Sequence, residues 1–422
     1  MSQAIIQPGG LQGNLPAIPS KSQAHRLLIC AALADAATKI RMQSPSQDIQ
    51  ATLNCIQRLG ARVVPTQEGV TIHPIGTPTS SPLLDCGESG TTLRLLLPVV
   101  TALCAQATFH GHGRLPQRPI GELQNCLEVH GACFDKQKLP FQVRRGDFTG
   151  GVFCIPGDIS SQYLSGLLLM LPLLPQGGEI RLTTPLASQG YVDMTLAAMA
   201  AFGVKVQKQP GRYLVSGGQA YRSPGTAGVE GDWSNAAFFL AAGALSGPVT
   251  VTGLSMSSLQ RDKDMLELLL RFGANVILGK DSVTVQAGAP RRGMEIDVEN
   301  IPDLAPVLCV MAAAARGGKT TLLHTARLRL KESDRVEAIL NMLHALGVRA
   351  EAGPDRMVVY GGGQIAGGVV DCCGDHRIAM AAAVGACVAS GKITVLNARA
   401  VDKSYPAFFE DFARLGGNVY VV

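Results

Sequence analysis

Lys, Arg and small polar side chains cluster where apolar helices read as beginning. Lys21, Ser22 and Arg26 open one such stretch, Gly87-Glu88-Ser89-Gly90-Thr91-Thr92 a second, and Ser160-Ser161-Gln162 a third; Asp232, Asp303 and Asp375-His376-Arg377 open three more. A second set of helix starts carries Arg118, Ser188 with Tyr191, Lys331-Glu332 with Arg335, and Lys403. A helix N-terminus has free backbone N–H groups and a partial positive charge, so it draws anions. Acidic residues there have a structural explanation in capping. Cations there have none, because they oppose the helix dipole. Their repeated placement against the dipole predicts a protein that binds anionic ligands.

Each segment also has a plainer reading. Gly87 to Arg94 is a Gly/Ser/Thr turn opening a helix, suited to cradling a phosphate on backbone amides, with Gly90 allowing close approach. It is not a Walker A loop, since no Gly-Lys-Ser/Thr follows at the required spacing. Gly317-Gly318-Lys319-Thr320-Thr321 looks closer to one, but it runs from a helix into a strand, the wrong order for a nucleotide loop. Ser160-Ser161-Gln162 reads equally as an ordinary N-cap. Lys331 and Arg335 are spaced i,i+4, which predicts a shared helix face with Glu332 beside them; a solvated salt-bridge face is the alternative. Asp375-His376-Arg377 puts three ionisable residues ahead of a strongly apolar helix. His376 reads as a satisfied core group or as a pH-sensitive ligand, and both readings stay open.

The elements that position these segments recur. Leu59-Gly60-Ala61, His130-Gly131-Ala132, Phe202-Gly203-Val204, Phe272-Gly273-Ala274, Leu346-Gly347-Val348 and Leu415-Gly416-Gly417 share one signature, with the glycines roughly 70 residues apart. The spacing predicts six copies of a unit that reads helix, strand, helix, hairpin. In the fourth copy the helices are 235–245 and 264–272, with strands at 249–251, 275–278 and 282–286. The recurring glycine falls where a left-handed helix cap suits a residue without Cβ. The first helices are apolar nearly all round, which argues for an α/β protein with helices enclosed by sheets. A linear solenoid is the alternative.

With 422 residues, two domains of three repeats each are expected. Residues 1–15 read as a short leading strand. Pro/Gly/Ser-rich crossings near 16–21 and 225–230 predict one domain from residues 1–18 and 229–422 and another from 19–228. The formal charge of +5 is mild, and the chain has no Lys/Arg run with interleaved aromatics, so nucleic acid is not an expected partner. The eleven cysteines show no CxxC spacing, and Cys372-Cys373 has no His or Cys at ligand distance in sequence, so reduced thiols and no metal site are expected. No signal-peptide pattern opens the chain. The longest apolar stretch, 164–174, is interrupted by Pro172 and is too short for a bilayer. A cytoplasmic protein without membrane contact is expected.

Taken in order, Pro19-Ser20-Lys21-Ser22 with Arg26, Gly90-Thr91 with Arg94, Arg118-Pro119-Ile120, Ser160-Ser161-Gln162, Ser188 with Tyr191 and Asp193, Glu230-Gly231-Asp232, Ile301-Pro302-Asp303, Lys331-Glu332 with Asp334-Arg335, Asp375-His376-Arg377 and Lys403 with Pro406 resemble the enolpyruvyl transferase family, in its shikimate 3-phosphate branch. The resemblance covers essentially the whole chain. It implies a two-domain inside-out α/β barrel of six βαβαββ repeats, three per domain, joined by a two-strand hinge, with the active site in the cleft. It also implies transfer of the enolpyruvyl group of phosphoenolpyruvate to the 5-hydroxyl of shikimate 3-phosphate by a monomer without cofactor.

Carried over by position, Lys21, Arg118, Lys403 and the amide of Gly90 would face the phosphate of phosphoenolpyruvate, with Gln162 nearby. Arg335 and Arg377 would grip its carboxylate, for which a guanidinium has the better geometry. Lys21, Ser22, Arg26, Ser160, Ser161, Gln162, Ser188, Tyr191, Asp303 and Lys331 would hold shikimate 3-phosphate. Glu332 would protonate the methylene carbon, Asp303 would take the hydroxyl proton, and Lys21 would stabilise or shuttle charge between them. Two positions depart from the family pattern: Glu88 stands where Asn is common, and Arg327 where some members have Asn.

The sister branch acting on UDP-N-acetylglucosamine carries Lys-Asn in place of Lys21-Ser22 and a reactive Cys before the Arg-Pro motif. Here Ser22 stands, and residues 111–117 contain no Cys. A ring-shaped DNA clamp also has six pseudo-repeats, but it needs cations along its inner helix faces rather than at helix starts. An inactive paralogue would not be expected to keep both carboxylates and all the mapped cations.

Overall fold

The six recurring glycines all take positive φ, from +74° at Gly347 to +115° at Gly60, and each ends a helix or its last turn. The computed structural model describes residues 2–43, 45–146, 148–288 and 291–422. They form two compact units. One is continuous, Pro19–Val229; the other is split, Met1–Ile18 with Glu230–Val422.

The continuous unit contains six α-helices: α1 (Lys21–Leu33), α2 (Gln47–Arg58), α3 (Gly90–Leu103), α4 (Gly121–Glu128), α5 (Ser161–Met170) and α6 (Gln189–Ala201). Three four-stranded sheets accompany them. Leu83–Asp85 pairs in parallel with Gln106–His110, which pairs antiparallel with Phe141–Arg144, and that strand with Cys133–Phe134. The other two sheets, built on Thr38–Arg41 and on Gly177–Leu182, repeat this order of one parallel and two antiparallel pairs. Helices α3 and α5 approach closely because residue 166 is glycine: a Cβ there would run into the carbonyl oxygen of Arg94.

The split unit contains α7 (Trp233–Leu245), α8 (Met265–Phe272), α9 (Ala305–Ala313), α10 (Arg335–Ala345), α11 (His376–Gly385) and α12 (Phe408–Arg414). Every residue of α7, α9 and α11 is buried. Helices α8 and α10 instead show one buried and one exposed face, as amphipathic helices do. Burying Trp233, Phe238 and Phe239 contributes roughly 1.5–3 kcal/mol for each phenylalanine, before the entropy cost of ordering it. The three sheets of this unit have the same pairing order as those of the continuous unit.

The segment read as one leading strand is two strands in different sheets. Gln3–Ile6 lies between Ile393–Leu396 and Val419–Val421, while Gly13–Pro16 is the parallel edge partner of Val249–Thr252. A linear solenoid would keep the two ends of the chain apart; here they pair. Gly317 to Thr321 lies inside the strand Arg316–Leu323, so it forms no loop around a phosphate. Among the described residues, no helix is long and apolar enough to cross a membrane.

Candidate active site

In the split unit, Arg335 is fully buried and meets three carboxylates at once. Its Nε donates to Asp375 Oδ2 at 3.0 Å, Nη1 to Asp303 Oδ1 at 2.9 Å and Nη2 to Glu332 Oε2 at 2.7 Å. Asp303 is bridged, since its other oxygen, Oδ2, accepts from Arg377 Nη2 at 2.9 Å. Burial alone would push the Asp303 carboxyl up, but Arg377, Lys331 and Arg335 outweigh it and hold the group well below the usual carboxylate range. Burial pulls Lys331 down to about 8, even with Asp303 opposing the shift; Arg327 and Arg335 add to the pull. Asp303 and Glu332 remain about one-fifth exposed, so the network presents these two carboxylates to solvent while Asp375 stays buried.

Local structure explains the convergence. Asp375 caps α11, accepting from the Arg377 amide at 3.0 Å, and it also takes a bond from Ser333 Oγ at 3.0 Å. Asp334 caps α10 through the Glu337 amide, so that helix begins at Arg335. Lys331 and Glu332 therefore lie in the turn before α10, and the expected i,i+4 helix face shared by Lys331 and Arg335 does not form. Lys403 closes the short 3-10 segment Ala398–Lys403 and donates to the carbonyl of Gly374 at 2.7 Å, beside Asp375. It was expected at a helix start, but α12 begins only at Phe408. His376 is buried at the start of α11, with Nδ1 4.0 Å from Asp375 Oδ1, too far for a hydrogen bond.

In the continuous unit, Ser20 caps α1 and Lys21 follows it, its ammonium paired with Asp48 at 2.8 Å. Ser89 caps α3, which leaves Gly90 as the first helical residue. A Cβ on Gly90 would lie 2.6 Å from Arg94 Nη1 and 2.8 Å from Arg118 Nη1, so two guanidiniums stand against this glycine. Arg118 reaches it from the end of the 3-10 segment Leu115–Gln117, not from the start of a helix as expected. Arg94 donates to Gln162 Oε1 at 3.0 Å and to the Pro119 carbonyl at 3.0 Å, and Gln162 donates to Thr91 Oγ1 at 2.8 Å. Ser160 caps α5 with Ser161 next to it. Ser188 precedes α6 in the left-handed region (φ +57°), and its carbonyl accepts from the Tyr191 amide.

Arg26 is buried rather than presented. It donates to Thr195 Oγ1 at 2.7 Å and to the carbonyls of Ser22 at 2.5 Å and Tyr191 at 2.9 Å, which tie α1 to α6. Burial lowers its pKa to about 10, with Tyr191 opposing the shift. The Glu88 carboxylate lies against Gly113, where a Cβ would overlap it. Arg327 belongs to the 3-10 segment Ala326–Leu330, and its charge acts on Lys331.

Sequence reasoning assigned no role to Asp375, Arg94, Asp48 or Asp262, although the first two fall inside motifs it singled out. Asp262 is buried and takes a hydrogen bond from Ser234 Oγ. Burial and the neighbouring Asp303 push its carboxyl up to about 7 against the pull of Arg377. Among the described residues, no group of three His, Cys, Asp or Glu side chains is placed to hold a metal ion.

A family model described as EPSP synthase (3-phosphoshikimate 1-carboxyvinyltransferase) matches residues 5–412. A 3-phosphoshikimate 1-carboxyvinyltransferase from Clostridium botulinum strain Alaska E43 is 38% identical, the match covering 98% of each chain. One from Clostridium perfringens is 36% identical over 99% of each. Among solved structures, an EPSP synthase from Acinetobacter baumannii superposes with a TM-score of 0.83 at 26% identity, covering all of both chains. An enolpyruvyl transferase from Streptomyces tendae shares the fold, with a TM-score of 0.80 at 17% identity over 100% of this chain and 98% of that one. The cations that converge on Asp303 and Gly90 thus sit in a sequence matched almost from end to end, and the chain belongs to the EPSP synthase (3-phosphoshikimate 1-carboxyvinyltransferase) family.

Proposed function

We propose that this chain transfers the enolpyruvyl group of phosphoenolpyruvate to the 5-hydroxyl of shikimate 3-phosphate, releasing phosphate through a tetrahedral intermediate. The observation that carries the proposal is the carboxylate of Asp303 bridged by Arg335 and Arg377, with Glu332 on the same Arg335. Two guanidiniums already arranged around one carboxylate fit a second, incoming carboxylate.

The proposed sequence of events follows from that exchange. The carboxylate of phosphoenolpyruvate takes over Arg335 and Arg377, which releases Asp303 from its cations. A carboxylate so strongly stabilised by its cations is a poor base; freed from them it becomes a better one, suited to taking the proton of the 5-hydroxyl. Glu332, displaced from Arg335 and no longer held as a carboxylate by that cation, takes up a proton from solvent and delivers it to the methylene carbon. The hydroxyl oxygen then bonds to the adjacent carbon, giving the tetrahedral intermediate. Its collapse breaks the bond to phosphate, which leaves with the proton held by Asp303, and the methyl group returns a proton to Glu332 as the enol ether forms.

Lys21, Arg118, Lys403 and the Gly90 amide hold the phosphate in this reading, with Gln162 beside it, and Lys21 leaves Asp48 to do so. Ser22, Ser160, Ser161, Gln162, Ser188, Tyr191 and Lys331 hold shikimate 3-phosphate; Arg26 fixes the backbone of Ser22 and Tyr191. We also read the six sheets as six βαβαββ units of an inside-out barrel, three to a domain, and the working form as a cytoplasmic monomer. The pairing order common to all six sheets supports the repeat.

The test is phosphate release from phosphoenolpyruvate by the purified protein, with shikimate 3-phosphate or UDP-N-acetylglucosamine as acceptor. Release with shikimate 3-phosphate alone is expected. Release only with the nucleotide sugar, or with neither acceptor, would overturn the proposal.

A further inference from the structure

Beneath the Gly90 turn runs a buried chain of hydrogen bonds that the proposed chemistry does not use. His25 Nδ1 is 2.7 Å from Thr52 Oγ1, Thr52 Oγ1 is 2.7 Å from Thr92 Oγ1, and Thr92 Oγ1 donates to Ser89 Oγ at 2.8 Å. All four side chains are buried, and the chain crosses from α1 through α2 to the cap of α3.

A hydroxyl has one proton to give, so the chain has a direction. Thr92 gives its proton to Ser89 Oγ at 2.8 Å, with the Asp48 carbonyl a longer second acceptor at 3.5 Å, and must therefore accept from Thr52. Thr52 spends its own on Thr92 and must accept from His25, which fixes the imidazole as the tautomer with its proton on Nδ1. Burial holds His25 neutral, with the charges of Lys21 and Arg26 pushing the same way. Nε2 is left as a buried acceptor with no partner among the described residues. At the far end Ser89 accepts twice, from Thr92 Oγ1 and from the Thr92 amide at 3.1 Å. That second bond is the cap of α3. It satisfies the third amide of the helix and leaves the first two, Gly90 and Thr91, without an intrahelical partner.

Packing three helices does not require this chain, because apolar side chains of the same shape hold helices together as well. What a directed chain adds is orientation: it ties the start of α3 to α2, whose Asp48 holds Lys21.

We propose that Thr52 and Thr92, anchored by His25, are positioning residues for anion binding, setting through Ser89 how the amides of Gly90 and Thr91 meet the phosphate of phosphoenolpyruvate. The inference rests on the proposed function, which places that phosphate at Gly90.

Thr52→Val keeps the shape and removes the hydroxyl; Thr52→Ser keeps the hydroxyl and removes a methyl. The Val variant should raise KM for phosphoenolpyruvate about tenfold, with KM for shikimate 3-phosphate unchanged, while the Ser variant stays near wild type. A packing role gives the opposite order, with Val tolerated and Ser harmed by a cavity. Thr92→Val and Thr92→Ser repeat the comparison at the next link, in case Thr52→Val does not fold. Inorganic phosphate binding, measured by calorimetry on the same proteins, should follow the same order without any turnover. A wild type that binds phosphate but transfers nothing would sink the transfer reading alone. Val variants matching wild type in both assays, or Ser variants worse than Val, would overturn the positioning role.

Discussion

Arg335 and Asp375 form an ion pair in which neither side chain has exposed surface, Nε to Oδ2 at 3.0 Å. Asp375 also caps α11 through the Arg377 amide, so one carboxylate orients the Arg335 guanidinium and fixes the backbone from which Arg377 reaches Asp303. Removing one partner of a buried pair leaves an uncompensated charge, a change that costs roughly 3–5 kcal/mol. Asp375→Asn should lower stability by that order and raise KM for phosphoenolpyruvate. Urea unfolding with an unchanged midpoint would show that the pair does not hold the site.

Asp303→Asn and Glu332→Gln should each cut turnover by about 10²–10⁴-fold while shikimate 3-phosphate still binds. Asn is a better probe than Ala at 303, because it keeps atoms between Arg335 and Arg377. Single-turnover rates together with calorimetry separate the two effects. Near-normal turnover in both variants would refute the acid and base assignments.

Asp303 also predicts an acid limb in stability. Its folded pKa is depressed by Arg377, Lys331 and Arg335 despite burial, so its stabilising contribution is present above the unfolded value and lost as pH falls through the folded one. Wild type should lose more stability than Asp303→Asn as pH drops below about 4. Parallel melting curves for the two proteins from pH 6 to 3 would contradict this.

Lys331 titrates where assays are run. Burial brings it down to about 8, so in the free protein it sheds its charge as pH rises through that value. If it holds shikimate 3-phosphate, kcat/KM for that substrate should fall above pH 8, and Lys331→Arg should flatten the decline because guanidinium stays charged. A pH profile identical in the two proteins would count against Lys331 as a substrate ligand.

Asp262 has the opposite sign to Asp303. Its folded pKa of about 7, raised by burial and by Asp303, lies above the unfolded value, so its contribution is full below the unfolded pKa and is lost as pH rises toward 7. Asp262→Asn should remove this decline, and its melting temperature should change less than that of wild type between pH 5 and 8. Equal changes would place the neutral-pH titration elsewhere.

The helix-ending glycines and the helices were legible because they rest on local physics. A glycine after an apolar helix and a β-branched triplet such as Val249-Thr250-Val251 need no knowledge of distant residues. Gly13–Pro16 shows the limit. Gly-Asn-Leu-Pro has little strand character of its own, and only its pairing with Val249–Thr252 makes it a strand. Of the cations expected at helix starts, Lys21, Arg335 and Arg377 lie there while Arg118, Lys331 and Lys403 do not, and the roles came from resemblance. Lys331 was misplaced because Asp334 sets the start of α10, which spacing alone does not reveal. Asp375 reads as a plain cap until folding brings Arg335, 40 residues away in sequence, onto its other side. His25 and Thr52 look like incidental polar residues on the buried faces of α1 and α2; a directed hydrogen-bond chain has no sequence period.

Strand Gln3–Ile6 bonds to segments near the opposite end of the chain, with the Gln3 amide donating to the Val422 carbonyl at 2.7 Å. On the ribosome that strand emerges long before Ile393–Leu396 and Val419–Val421, so it waits while the residues between are made. The stretch Pro19–Val229 has all its internal partners in hand much earlier. Domains generally fold as units during synthesis, amino-terminal first. For residues 3–6 the order is inverted: the stretch 19–229 matures first, and strand Gln3–Ile6 is sewn to Ile393–Leu396 and Val419–Val421 afterwards. Proteolysis of stalled nascent chains should find 19–229 protected while residues 3–6 are still open to cleavage.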